Sequence, residues 1–409
     1  MKNCIVAQSG GPTVAINASL AGIINTVMKS NEYGTIYGSK NGITGILENR
    51  IMNLSELFKN ENDIEILKTS PAMYLGSCRY KLPKIEDAKE IYEQIFQKFE
   101  ELNIGAFFYI GGNDSMDTVY KLSQYAKEHE SDIKVVGVPK TVDNDLCVTD
   151  HTPGFGSAAK YVATSILEIA HDTFIYKLKS VTIIEIMGRD AGWLTAASVL
   201  ARNEYSNAPH LIYLPEVAFD QKQFIEDLRH LLETTDNVIV AVSEGIRDAE
   251  GNYVSATTAH ADQFGHSQLS GAGKCLEYLV KEELGVKVRS IEVNVLQRCA
   301  AHLASKTDLD EAYTLGEKAV NYSLKGVTGA MITMHRVKNE PYEIQYDYAS
   351  IDGIANEAKS VPREWINAAG NDVTEEMIQY LRPLIQGESE VHYKNGLPVY
   401  MNVEHLIQK

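Results

Sequence analysis

Short apolar runs that open into polar loops recur along the chain. Two of them, residues 106–110 and 135–138, enclose residues 116–129, a polar segment long enough for a crossover helix. Apolar runs of this length, bounded by turn-forming residues, are typical of buried parallel strands. Because parallel neighbours need a crossover of about a dozen residues, the pattern predicts a strand–helix–strand unit at the centre of the fold.

The same pattern extends over most of the sequence. It predicts further strands at residues 4–8, 35–37, 179–186, 211–214, 238–242 and 288–296. Apolar spacings of three and four predict helices between them, among them residues 16–27, 54–68 and 158–171, and a helix that starts at Thr307. Strands that alternate with helices in this way indicate an α/β fold with doubly wound parallel sheets.

Polar residues concentrate where the two central strands end. The sequence there reads GGNDS at residues 111–115 and PKTVDND at residues 139–145. Ligands of open α/β sheets bind beyond the carboxyl ends of the strands, so these loops are a candidate site. Helix capping and turn formation by Asp and Asn would account for the same residues equally well, and their spacing alone does not decide.

Composition limits the classes of function. A chain of 409 residues is expected to form two domains. The net charge of −17 argues against nucleic acid and anionic membranes as partners. Five cysteines without C-x-x-C spacing indicate a reduced setting. We therefore expect a cytoplasmic protein with no membrane span and no secretory leader.

Several residue types suit a phosphorylated ligand. Gly10 and Gly11 follow the first strand and precede a helix, which is a phosphate-binding arrangement, although a tight turn needs glycine for its own reasons. Arginine forks match phosphate oxygens. Arginines lie in a polar loop or in or beside apolar strands at Arg79, Arg189, Arg289 and Arg298. His260 and His266 lack metal-binding spacing and are interpreted as loop histidines.

Phosphoryl transfer needs a cradle for the donor, positive charge and a group that takes the proton of the acceptor hydroxyl. Asp143, beside Lys140, is the natural candidate for that base. Mg²⁺ would need few protein ligands, because it usually binds one or two carboxylates together with substrate phosphates.

Taken in order, the motifs over about residues 1–325 resemble the phosphofructokinase family. They are SGGPT at 9–13, GSCR at 76–79, GGNDS, PKTVDND, MGR at 187–189, SEG at 243–245 and LQR at 296–298. The resemblance implies two Rossmann-like, doubly wound domains with the active site in the cleft between them. Residues 1–156 with about 297–330 would bind the donor, and residues 157–296 fructose 6-phosphate. Residues 331–409 are left without an assignment.

The resemblance also implies roles for individual residues. Asp143 would be the general base, with Lys140 and Asp114 also catalytic. The donor would be bound by Gly10, Gly11, Arg79, Gly112 and Lys140. Fructose 6-phosphate would be bound by Thr141, Val142, Asp143, Met187, Gly188, Arg189, Glu244, Arg289 and Arg298. Mg²⁺ would be held by Asn113 and Asp145. The family usually places its substrate sites at subunit contacts, which implies a homo-oligomer, a dimer or tetramer.

Two positions indicate the donor. ATP-using members of the family resemble this chain but have glycine where Asp114 and Lys140 stand, and that pair marks the pyrophosphate-dependent branch. A side chain at 114 fills space that a nucleoside would need, and an ammonium at 140 offers charge to a small, dense anion. The resemblance therefore implies reversible, Mg²⁺-dependent transfer from pyrophosphate to the C1 hydroxyl of fructose 6-phosphate, with an ATP-dependent enzyme as the alternative.

The chain departs from the family at three further positions. Asn113 replaces the aspartate that usually serves the metal. Ser180 and Val295 replace an arginine and a histidine that contact the sugar phosphate in ATP-using members, and Lys179 is a candidate substitute for the lost charge.

Two alternatives come from other classes of protein. A nicotinamide-dependent dehydrogenase would need G-x-G-x-x-G after the first strand, and the sequence has Gly-Gly-Pro there. A sugar-phosphate sensor without catalysis would have no need of the Lys140–Asp143 pair.

Overall fold

The structure is a computed structural model and describes residues 1–254, 271–354 and 358–407. Its strands are β1 (Asn3–Gln8), β2 (Ile36–Ser39), β3 (Ile51–Asn53), β4 (Ile104–Gly111), β5 (Lys134–Pro139), β6 (Ser180–Ile186), β7 (Leu211–Tyr213), β8 (Asn237–Ser243), β9 (Lys287–Glu292), β10 (Ala330–Lys338), β11 (Glu343–Ser350), β12 (Tyr393–Lys394) and β13 (Leu397–Pro398). Its α-helices are α1 (Ile16–Ser30), α2 (Ile43–Leu47), α3 (Leu54–Leu57), α4 (Glu61–Thr69), α5 (Lys89–Glu101), α6 (Asn113–Glu128), α7 (Phe155–Phe174), α8 (Trp193–Ala196), α9 (Gln221–Thr234), α10 (Ala272–Leu284), α11 (Lys306–Leu324), α12 (Glu375–Leu381) and α13 (Glu404–Ile407). His260 and His266 lie outside the described residues.

The larger sheet has the strand order β11-β10-β5-β4-β1-β2-β3. Neighbours from β2 to β10 are parallel, and the edge strands β3 and β11 run antiparallel to theirs. Helices α1, α4 and α11 cover one face and α2, α5 and α6 the other. Burial on both faces explains why β1, β4 and β5 are continuous apolar runs.

The smaller sheet has the order β7-β8-β6-β9 and is parallel throughout. Helix α7 packs on one face, and α9 and α10 pack on the other. Each sheet is therefore enclosed between helices, and the predicted α/β architecture with doubly wound parallel sheets is confirmed. Among the described helices, none combines the length and the apolar character that crossing a bilayer requires.

The residues beyond 330 are divided between the two sheets. Strands β10 and β11 extend the larger sheet beside β5. The next part of the chain packs into the core around α7, through Val361, Ile366, Val373, Met377, Tyr380, Leu381 and Leu384. The C-terminal part thus belongs to the packed fold.

One predicted strand is too long. The apolar alternation over residues 288–296 predicted a strand as far as Leu296, but β9 ends at Glu292 and a 3₁₀ helix spans Asn294–Arg298. Asn294 has φ +46°, a left-handed conformation that breaks the pleat and that Asn tolerates better than most residues. Val295 and Leu296 consequently lie about half exposed to solvent, at 47% and 54%.

Candidate active site

The carboxyl ends of β1, β4 and β5 lie side by side in the larger sheet. Gln8 is paired with Ile110 and Gly111 with Pro139, so the three loops that follow start from the same edge. This register brings together the glycine loop and the two polar loops that the sequence indicated.

Gly10 and Gly11 form a close contact with Lys140. Gly10 has φ +80°, which L-residues rarely adopt, and a Cβ there would lie 3.1 Å from the Lys140 Nζ. The Lys140 ammonium donates a hydrogen bond to the Gly11 carbonyl at 2.7 Å. Ser77 Oγ donates to the Gly10 carbonyl at 2.7 Å, so the loop that carries Arg79 adjoins the same glycines.

Lys140 is a buried cation, with only 1% of its surface exposed. Burial lowers its pKa to about 8, although the carboxylates of Asp143 and Asp145 oppose this effect. The side chain therefore remains largely an ammonium at neutral pH. A charge held with so little water around it acts on a bound anion more strongly than a solvated charge would.

Helix α6 begins at the end of β4. Gly112 precedes it, and Asn113 and Asp114 lie in its first turn, where backbone N–H groups and the helix dipole favour anions. The Asp114 side chain is exposed. Asn113 Nδ2 donates to Asp145 Oδ2 at 2.9 Å, while the buried Asn113 Oδ1 has no hydrogen-bond partner among the described residues. That carbonyl oxygen is available to a ligand.

Asp143 lies in a turn and in a strong electrostatic field. Its backbone N–H donates to Thr141 Oγ1 at 3.1 Å, so the turn that the alternative interpretation expected is present. Asp143 keeps contact with solvent, but the surrounding protein displaces much of its hydration, and this burial raises its pKa. The charges of Lys140 and Arg189 lower it in part. Burial, and next the charge of Asp143, raise the pKa of Asp145 to about 6.

The smaller sheet supplies the opposite side. Met187, Gly188 and Arg189 follow β6, Glu244 follows β8, and the Gly188 N–H donates to Glu244 Oε1 at 3.4 Å. The pKa of Glu244 is raised to about 7, chiefly by burial and also by the charge of Asp143, while the Gly188 N–H and the charge of Arg189 oppose the shift. The charge of Arg189 lowers the pKa of Asp143 as well as that of Glu244. The carboxyl ends of the two sheets therefore face each other across Asp143.

Arg298 reaches the glycine loop from the 3₁₀ helix after β9. Its Nη1 lies 3.5 Å from the position that a Cβ on Gly11 would occupy, and its charge lowers the pKa of Asp143 and of Lys140. Val142 is buried in the core around α7, and Met187 packs against that core.

Arg289 lies away from this cluster. It is opposite Thr182 in the strand register, four positions before the end of β6 at Ile186. Its guanidinium donates to Thr182 Oγ1 at 3.4 Å and to Thr173 Oγ1 at 3.3 Å, and lies 3.4 Å from Asp172. Lys179, which immediately precedes β6, donates a hydrogen bond to the Leu232 carbonyl. The cleft of this chain therefore contains neither side chain.

Two residues that contact the Asp143 loop were not found by motif. The Lys359 N–H donates to the Asp145 carbonyl at 2.8 Å, and Tyr380 Oη accepts from Asn144 Nδ2 at 2.8 Å. Both belong to the C-terminal part of the chain, where the apolar spacing around Met377 and Leu381 indicates a packed helix but not its neighbours.

Fold and site together define a class of phosphotransferases, and the chain belongs to the phosphofructokinase family, whose model matches residues 3–323. A protein of Halomonas elongata named pyrophosphate–fructose 6-phosphate 1-phosphotransferase is 40% identical, over 97% of this chain and 94% of its own. A protein of the same name from Xanthomonas campestris is 41% identical, over 99% and 96%. The crystal structure of a pyrophosphate-dependent phosphofructokinase from Nitrosospira multiformis superposes with a TM-score of 0.88 at 38% identity, covering 98% of this chain and 96% of that one.

Proposed function

We propose that the chain transfers a phosphoryl group from pyrophosphate to the C1 hydroxyl of fructose 6-phosphate and so produces fructose 1,6-bisphosphate and phosphate, a step of glycolysis. The observation that carries this proposal is the buried Lys140 ammonium. It donates a hydrogen bond to the Gly11 carbonyl of the glycine loop and interacts electrostatically with the carboxylate of Asp143. The transfer is reversible, because pyrophosphate and the sugar bisphosphate differ less in transfer potential than ATP and the bisphosphate do.

Asp143 is the general base of the proposed reaction. It takes the proton of the C1 hydroxyl while that oxygen bonds to phosphorus, and the bond to the bridging oxygen breaks and releases phosphate. The raised pKa of Asp143 suits this role, since a base works best when its pKa approaches the working pH. Lys140 donates hydrogen bonds to the phosphoryl group as its charge redistributes.

The donor lies against Gly10, Gly11 and Gly112, where the absence of side chains lets the backbone approach it closely. Arg79 lies on the adjoining loop. Asp114 occupies the first turn of α6 beyond these glycines. Its carboxylate leaves room for pyrophosphate, but it would meet and repel the extra phosphate of a nucleotide. Asp114 therefore selects the donor.

Fructose 6-phosphate lies on the opposite side of Asp143. Arg189 and Arg298 bind its phosphate, and Glu244 accepts a hydrogen bond from a sugar hydroxyl. Thr141, Val142, Met187 and Gly188 complete the wall of the pocket. Residues 1–156 with about 297–330 thus act as the donor domain and residues 157–296 as the sugar-phosphate domain.

Arg289 serves a second copy of the chain in this proposal. Its guanidinium lies outside the cleft of its own chain, against the hydroxyl groups of Thr173 and Thr182 and the exposed carboxylate of Asp172. The enzyme is accordingly a dimer or tetramer in which each cleft borrows this arginine.

Asn113, which follows β4, and Asp145, which follows β5, fit a magnesium ion. No group of three or more His, Cys, Asp or Glu among the described residues could hold a metal alone. The Asn113 Oδ1 is nevertheless buried without a partner in that part of the chain, beside the Asp145 carboxylate. Two oxygen ligands suffice for an ion that also binds substrate phosphates. A Mg²⁺ held there would neutralise charge on the donor.

We further propose a cytoplasmic location without membrane or nucleic-acid partners, consistent with the net charge of −17. A cell fractionation in which the activity sediments with membranes would contradict this proposal.

Initial rates with pyrophosphate and with ATP, both at saturating fructose 6-phosphate, test the donor. We expect the pyrophosphate rate to exceed the ATP rate, and the reverse result would establish the ATP-dependent alternative. Asp143→Asn should lower kcat by about 10²–10⁴ while fructose 6-phosphate still binds. Binding without turnover in the wild type would instead favour a sensor.

A further inference from the structure

The C-terminal part of the chain forms hydrogen bonds with the loop that carries Asp143. The Lys359 N–H bonds to the Asp145 carbonyl, and residues 146 and 358 form an isolated bridge. Tyr380 Oη accepts a hydrogen bond from Asn144 Nδ2 at 2.8 Å. The loop is thus held at each of the three positions after Asp143.

Asn144 is an unusual residue in this loop. It has no solvent exposure and a left-handed backbone with φ +53°. Its Oδ1 accepts from the Thr152 N–H at 3.1 Å, so the amide is oriented with its donor side toward Tyr380. Both ends of the side chain are therefore bonded, and they hold a backbone conformation that non-glycine residues adopt at a cost.

Tyr380 is fixed independently of Asn144. Its ring centroid lies 5.3 Å from those of Trp193 and Trp365, and the Arg336 guanidinium carbon lies 4.5 Å from it. Its hydroxyl donates to the Asp150 carbonyl at 2.8 Å. Packing thus places the hydroxyl oxygen, which gives the Asn144 amide a rigid acceptor.

We propose that Tyr380 is a positioning residue for phosphoryl transfer, acting through Asn144 to fix the carboxylate of Asp143. This inference rests on the proposed function, in which Asp143 is the base. Adjacent Cα atoms are 3.8 Å apart, so rotation at Asn144 shifts Asp143 directly. Errors of about 1 Å in such a group cost up to about 100-fold in rate. The glycine loop and the arginines lie on other elements, so most contacts with the two substrates are spared.

Tyr380→Phe tests the proposal, because it removes the hydroxyl and keeps the ring packed against the two tryptophans. We expect kcat to fall about 10- to 100-fold, with each KM within about twofold of the wild type. Tyr342→Phe is the matched control. Its hydroxyl donates to Glu311 at 2.7 Å in the same charged region but does not touch the Asp143 loop, so kcat should stay unchanged.

A double-mutant cycle tests whether Tyr380 acts through Asn144. Asn144→Gly removes the amide and suits the positive φ. In that background, Tyr380→Phe should cause no further loss of kcat, because the shared contact is already gone. Losses that multiply, or an unchanged kcat in Tyr380→Phe alone, would overturn the proposal.

Hydrogen exchange separates this inference from the proposed function, since it needs no turnover. The backbone of residues 141–146 should exchange faster in Tyr380→Phe and at the wild-type rate in Tyr342→Phe. If the wild type does not use pyrophosphate, the proposed function is wrong. Hydrogen exchange would still test whether the contact between Tyr380 and Asn144 holds the loop. Exchange that is equal in both variants would refute the positioning of this loop by Tyr380.

Discussion

Burial lowers the pKa of Lys140, the ammonium that the proposed reaction uses. With its pKa lowered to about 8, the ammonium is lost as the pH rises through that value. We therefore expect kcat/KM for pyrophosphate to fall about tenfold for each pH unit above 8, since this parameter reports on the free enzyme. In Lys140→Arg the cation persists at high pH, so the alkaline decrease should disappear, whatever the absolute rate. Initial rates between pH 6.5 and 10 measure it.

Lys359 provides the control for this pH profile, because burial also lowers its pKa to about 8. Lys359→Arg should keep the alkaline decrease. If the decrease vanishes in Lys359→Arg and remains in Lys140→Arg, the titrating group is not Lys140.

Asp114 is the residue expected to select the donor. Asp114→Gly should give measurable ATP activity, and combination with Lys140→Gly should reverse the preference, because an ammonium serving the pyrophosphate transition state is lost. Asp114→Asn keeps the volume and removes the charge, so it separates steric exclusion from repulsion. Rates with each donor at saturating fructose 6-phosphate measure the effect. An unchanged preference in all the variants would remove Asp114 and Lys140 from donor choice.

At the scale of residues, the sequence predicted which side chains gather, except for Arg289 and Lys179. Glycine loops and strand-end residues such as Asp143 and Arg189 lie where any parallel sheet brings strand ends together. Arg289 could not be located in this way, because β9 pairs from Lys287 onward and leaves Arg289 in the middle of an edge strand. Electrostatic coupling between Arg189 and Asp143 also depends on how the two sheets face each other, which no local pattern encodes.

At the scale of elements, the strands and helices of the two sheets followed from apolar spacing. The helix predicted over residues 54–68 is divided into α3 and α4, because Asn60 is extended and caps the start of α4. The other errors lie at the ends of elements, where local backbone conformation competes with the apolar pattern. Residues 294–296 continue the apolar–polar alternation of β9, yet the left-handed backbone of Asn294 directs the chain out of the sheet. Helix α6 begins at Asn113, three residues before the predicted start at Met116, because β4 ends at Gly111 and Gly112 is already the N-cap residue of the helix.

A buried charged junction joins α11, β10 and the loop before α7. His151, 1% exposed, contacts Glu311 through Nε2 at 2.6 Å and Asp150 through Nδ1 at 2.8 Å, and Arg336 also bonds to Asp150. Burial alone would lower the pKa of His151, but Glu311 and Asp150 outweigh it and raise the pKa to about 9. The imidazolium therefore links these elements at neutral pH.

His151 should make stability depend on pH. Its folded pKa lies above its unfolded value of about 6.5, so its contribution is complete below pH 6.5 and is lost as the pH rises through about 9. The free energy of unfolding of the wild type relative to His151→Gln should therefore fall by about 3 kcal/mol between pH 6 and 10. Urea unfolding at both values measures the difference.

His230→Gln is the control for this experiment, because the His230 side chain is 85% exposed and lies on the surface of α9. Its difference from the wild type should vary little with pH. A difference between wild type and His151→Gln that stays constant from pH 6 to 10 would contradict an imidazolium in the folded state.

At the scale of the whole molecule, the C-terminal part could not be predicted. Residues 330–350 join one sheet and residues 361–384 the core of the other. The contacts join distant positions, such as Trp193 and Lys359, which are 166 residues apart. Only the three-dimensional arrangement shows that this segment meets the loop of Asp143. The motifs indicated the chemistry of the cleft. The residues that hold the loop of Asp143 in place, Lys359 and Tyr380, belong to no motif.

Subunit exchange tests whether Arg289 acts in a neighbouring cleft. Hybrids of Asp143→Asn and Arg289→Ala chains, purified through two different tags, would hold intact clefts formed by Asp143 of one chain and Arg289 of the other. We expect about half of the wild-type rate from such hybrids, because half of the clefts are complete, whereas each parent is impaired. Hybrids of Asp143→Asn with Arg298→Ala are the control. Arg298 reaches Gly11 of its own chain, so no cleft is complete and no activity should return. Recovery in the control, or none with Arg289→Ala, would show that Arg289 does not serve a partner.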